Sequence, residues 1–113
     1  MESFLRDHEY WTGNARKLAL KANEWFLNSK AVQSKELTER LVRDYVAREI
    51  LDRPERKGKE AIFSFRQLIQ LIAARHLIDA NWPLEDIERE FRGQTTEVIS
   101  KFIQGASLGA DTD

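Results

Sequence analysis

Cysteine is absent from the 113 residues, which rules out disulfide staples and thiolate metal ligation. Histidine occurs only as His8 and His76, far apart in the chain, so no histidine cluster with metal-ligand spacing exists. A Gly-rich phosphate loop and a nucleophile motif are also missing. No enzyme activity, cofactor or metal site is therefore expected. No apolar run approaches the roughly 20 residues that span a bilayer, so no membrane partner is expected. The stretch Met1 to Tyr10 carries acids and has no apolar h-region, so it does not read as a signal peptide. A reducing, cytoplasmic location is the default. The formal net charge is only −1, which argues against a protein that coats nucleic acid indiscriminately.

What is present is an ordinary globular composition, 42% hydrophobic and 33% charged, enough for one modest core. The charge is polarised along the chain. Arg40 to Arg66 holds eight basic and five acidic residues, a local +3, whereas Gln67 to Asp113 holds four basic and eight acidic, a local −4.

Residues 1–13 read as an N-terminal arm, made partly apolar by Phe4, Leu5, Tyr10 and Trp11. The domain proper is expected over 14–105. Leu18, Ala22, Trp25 and Phe26 share one face of a helix from about Asn14 to Asn28. Thr38 can cap a second helix reaching about Leu51, with Leu41, Val42, Tyr45 and Val46 as its apolar stripe. Pro54 ends that pattern. A charged tip around Gly58 and the apolar Ala61 to Phe65 then read as a small β-hairpin, or wing. Ser64 and Gln67 fit a capping box that opens a third, largely apolar helix to about Ala80. Pro83 starts a fourth helix, which Gly93 stops. A short fifth helix from about Thr95 to Gln104 should end at Gly105, leaving 106–113 as a disordered tail.

The order helix, helix, wing, helix, helix, with Val42-Arg43-Asp44-Tyr45-Val46-Ala47-Arg48-Glu49-Ile50-Leu51 in its second helix, resembles the MerR-type DNA-binding domain. The basic stretch Arg53 to Lys59, the Phe63-Ser64-Phe65 segment and Trp82-Pro83-Leu84 fall where that family places its wing and last helices. The likeness covers about Leu37 to Phe91. Asp44 stands where the family has an aromatic, and Glu49 where it has glycine. The resemblance implies a mostly α fold with a small β-hairpin wing and about five helices. It further implies a winged helix-turn-helix, here stand-alone, without the long dimerisation helix and effector domain.

The implied function is sequence-specific binding of double-stranded DNA, as in a transcriptional regulator without a ligand-sensing domain. Arg40 and Arg43 lie with Asp44 on the exposed face of the second helix, which would enter the major groove. Arg43 resembles the family's backbone-anchoring arginine. Tyr45 reads either as a phosphate contact or as a core tyrosine. Arg56, Lys57 and Lys59 surround the wing tip, and Arg66 opens the third helix, where free N–H groups favour a phosphate. Two other readings stand beside this one. One is a protein-interaction adaptor that kept the fold and lost DNA binding. The other is an architectural or excision-type DNA accessory factor. A homodimer is expected, because one head contacts few base pairs. Phe4, Leu5, Tyr10 and Trp11 at one end and Val98, Ile99, Phe102 and Ile103 at the other would form its compact interface.

Overall fold

A computed structural model describes residues 6–29 and 35–112, with side chains to 105. Phe4 and Leu5 lie outside the described residues. Among the described residues the fold is made of five helices and a three-stranded antiparallel sheet. In chain order they are β1 (Thr12–Gly13), α1 (Ala15–Ser29), α2 (Glu39–Ala47), β2 (Glu55–Lys57), β3 (Glu60–Ser64), α3 (Phe65–Asp79), α4 (Leu84–Phe91) and α5 (Thr96–Thr112). Among the described residues no helix is long and apolar enough to cross a membrane.

The core gathers around α3. Leu68, Ile69, Leu71, Ile72, Ala73 and Ala74 are all fully buried, so this helix is enclosed around its circumference. Its neighbours are α1, α4, α5 and β3. Leu18, Ala22, Trp25 and Phe26 of α1 are buried against it, as the 3.6-residue spacing requires. Truncating such a residue, Leu71→Ala for example, costs about 2–5 kcal/mol.

The helix starts follow their side-chain signals. Thr38 accepts from the Leu41 N–H at 3.2 Å. Gln67 reaches back to accept from the Ser64 N–H at 2.9 Å. The end of α2 differs from the sequence expectation: the helix stops at Ala47, not Leu51. The Ile50 N–H bonds to the Tyr45 carbonyl at 2.9 Å, and the Glu49 N–H to that of Val46 at 3.0 Å. That is a Schellman ending, and it places Glu49 at φ +62°, the left-handed region glycine prefers. The turn buries Ile50 and Leu51 in the core, so the apolar pattern continues past the end of the helix.

The wing is a tight hairpin in which Lys57 faces Glu60, Arg56 faces Ala61 and Glu55 faces Ile62. Gly58 at φ +62° is the first of its two turn residues, a type II′ pattern. A third strand was not foreseen: Thr12 and Gly13 pair with Ser64 and Phe63. The sheet thus begins inside the segment read as an arm. Trp11 lies across Gly13, and a Cβ there would sit 2.6 Å from its ring. At the other end α5 runs past Gly105 to Thr112, beyond the glycine stop and into the segment expected to be a tail.

Candidate nucleic-acid interface

Side chains alternate along β2, so Arg56 shares a face with its partner Ala61 and with the buried Phe63. That face turns towards α2 and the start of α1. The three elements enclose an open groove of about 480 Å³. Four cations line it: Arg16 from α1, Arg43 from α2, and Arg56 and Lys59 from the hairpin. Two carboxylates, Glu39 and Glu60, also line it, leaving a formal +2. Lys57 sits one residue on from Arg56, so its side chain leaves the opposite face of the ribbon and does not line this groove.

The cations are held loosely. Arg43 is well exposed and ion-paired with Glu39 one turn earlier. An exposed i,i+4 pair contributes only about 0.3–0.5 kcal/mol, so an incoming anion can replace Glu39. Arg56 donates to the Lys59 carbonyl at 3.1 Å, which steadies the turn and keeps both cations together. Asn14 donates to the Glu60 carboxylate at 3.3 Å, drawing that acid towards the α1 end.

On the other flank of α2 lies a second groove, lined by Arg53, Arg92, Glu49 and Asp52 among others. Val46 lines both grooves, so α2 is a ridge between them. The second groove is balanced in charge, and Arg92 is engaged by Glu88 at 2.7 Å and Glu49 at 3.6 Å. Charge therefore singles out the first groove as the place for a polyanion. On the exposed crest of α2, Arg40 carries no ion pair or hydrogen bond among the described residues, while Asp44 accepts from Arg48 at 3.1 Å.

One residue expected to meet phosphate is engaged inside the protein instead. Arg66 is a clamp within the protein. Its Nε donates to Asp52 at 2.5 Å, its two terminal nitrogens to the Thr96 hydroxyl at 3.2 Å and the Gln94 carbonyl at 2.8 Å. All three nitrogens are engaged, tying the α2–β2 linker to the α4–α5 linker. The buried Gln70 completes the clamp, accepting from the Asp52 N–H at 2.9 Å and donating to its carboxylate at 3.1 Å. Burial raises the Asp52 carboxyl, but the hydrogen bonds from Gln70 and Arg66 and the Arg66 charge outweigh it, and the carboxyl titrates below its ordinary range.

Tyr45 takes the second of its two expected readings, that of a core tyrosine. Only 4% of it is exposed, and its hydroxyl lies 3.5 Å from the buried Arg75 guanidinium. Burial pushes the phenol up, against the opposing pull of Arg75. It packs in the core beneath α2.

Arg16 is the member of the groove that sequence reasoning missed. It sits on an ordinary amphipathic helix, and only the folding of the hairpin over the start of α1 brings it beside Arg43. No family model, curated protein or solved structure matches the chain.

Proposed function

We propose that this chain binds double-stranded DNA sequence-specifically, as a winged helix-turn-helix of the MerR type acting in transcriptional regulation. One observation carries the reading: Arg16, Arg43, Arg56 and Lys59 converge from three elements on a single groove beside the exposed crest of α2. A duplex presents two phosphate strands flanking its major groove. With α2 in that groove, Arg40 reaches for base edges, and the adjoining cations hold one strand. The hairpin tip, with Lys57 on its outer face, follows the same strand outward. Arg43 exchanges Glu39 for phosphate, a swap that the weak surface pair permits.

The pairing of Arg43 with Glu39 and of Arg48 with Asp44 supports a second reading. It leaves the face of α2 close to neutral, as a protein-docking adaptor would have it. Binding to a pool of native genomic duplex fragments separates the two. A specific DNA binder enriches a few fragments by about 10³-fold or more over the rest. Equal affinity for every fragment, or none at low salt, sinks the DNA reading.

A further inference from the structure

Of the six large apolar side chains left exposed among the described residues, three gather in one place. Val98 is 51%, Phe102 41% and Trp82 40% exposed, and together they rim a narrow apolar groove floored by Leu77 and Phe91. Ile99 and Ile103, their neighbours on α5, are buried in the core. The groove lies where α3, α4 and α5 meet and shares no lining residue with the cationic groove beside α2. Phe102 is held from below, its ring edge-on to His76 with centroids 6.3 Å apart. A fixed apolar patch of this kind marks an association surface.

Size and charge narrow the occupant. The groove measures about 190 Å³, below the roughly 300 Å³ at which sites for small molecules begin. A cavity of roughly 150 Å³ takes a benzene ring, so this groove takes one large apolar side chain. Among the described residues the only charged group lining it is Glu90. That carboxylate is exposed, and its one partner among the described residues is the uncharged amide of Gln94, at 3.1 Å. Nearby acids differ, Asp86 being paired with Arg89 and Glu88 with Arg92. Glu90 thus stands at the mouth of an apolar groove without a cation. The stretch that holds the groove, Gln67 to Asp113, carries a net −4, which draws a cation and repels a polyanion. Pairing the patch with itself about a two-fold axis would supply no cation and a second carboxylate.

We propose that this groove docks a cationic segment of a different protein. One large apolar side chain enters between Trp82, Val98 and Phe102, and a lysine or arginine about a turn away pairs with Glu90. The inference does not rest on DNA binding and is tested without DNA. The probes are short fluorescein-labelled peptides in which a Phe, Leu or Ala anchor is combined with Lys or Glu one turn away. By fluorescence anisotropy with the full chain, Phe or Leu peptides carrying Lys should bind about tenfold or more tighter than the Ala control. They should bind about fivefold tighter than their Glu counterparts at low salt. Val98→Ser and Trp82→Ser alter largely exposed side chains and should each weaken the anchored peptides about fivefold or more, with circular dichroism confirming the fold. Glu90→Lys should reverse the charge preference, so that the Glu peptides bind better. A cation there suits the C-terminal end of α4, so the reversal reports the pairing and not helix stability. No binding above the Ala control overturns the proposal, as does a lysine preference that survives Glu90→Lys. So does a wild type that sediments as a dimer when Val98→Ser sediments as a monomer, which would give the face to a second copy.

Discussion

Arg66→Ala separates a protein clamp from a phosphate contact. The substitution removes three hydrogen bonds, from Nε to Asp52 and from the terminal nitrogens to Thr96 and Gln94. Charge-assisted bonds contribute about 1.5–3 kcal/mol each when buried. The Arg66 side chain is 29% exposed and that of Asp52 49%, so solvent screening reduces each bond substantially. Gln70 keeps its hold on Asp52, which limits the damage further. The net loss comes to about 2 kcal/mol. In a domain of this length, 1 kcal/mol moves the melting temperature by about 4 °C, so a fall of about 8 °C is expected. Differential scanning calorimetry measures it. The salt dependence of DNA binding, taken at a temperature where both proteins are folded, should not change. A melting temperature within about 2 °C of wild type, together with a salt slope smaller by one, would refute the clamp and return Arg66 to the interface.

Three further substitutions probe the positions where local chemistry and fold meet. Glu49→Gly relieves a left-handed residue and should stabilise the protein by about 0.5–1 kcal/mol in urea titration, since the exposed pair with Arg92 that it removes contributes little. Tyr45→Phe should leave DNA affinity unchanged at every site, and a uniform loss would place the hydroxyl on phosphate after all. His76 is packed against Trp25, Phe26 and Phe102, and burial holds its pKa below 6.5 despite the nearby Asp79. The fold therefore favours the neutral ring. Stability should be full above pH 6.5 and decline as pH falls from there towards the lower folded pKa. His76→Leu should abolish that decline, and an unchanged pH profile in the variant would contradict the assignment.

The helices were legible because their signals are local. Thr38, Ser64 with Gln67, Pro83 and the 3.6-residue stripes act within a turn or two of their own position. β1 was not legible, since two residues become a strand only by pairing with Ser64 and Phe63, some fifty positions away. The same distance hides the roles of Arg66 and Tyr45, whose partners Gln94, Thr96 and Arg75 lie 28–30 residues downstream. Arg43, Arg56 and Lys59 were read as neighbours of one interface from their place in a wing pattern. Arg16 offers no such pattern, because an exposed arginine on an amphipathic helix looks the same wherever it lies. Gly105 illustrates the opposite error: glycine weakens a helix by about 1 kcal/mol relative to alanine but does not end it without a left-handed turn.

The central claim is that the groove between α1, α2 and the hairpin holds DNA phosphates. Its most direct test is the salt dependence of duplex affinity for wild type, Arg16→Ala and Arg43→Ala, by fluorescence anisotropy on an enriched fragment. Each lost phosphate contact should lower the magnitude of the log–log slope by about one and weaken all sites alike. Slopes identical to wild type in both variants, with the fold intact, would mean that the groove is not where DNA is held.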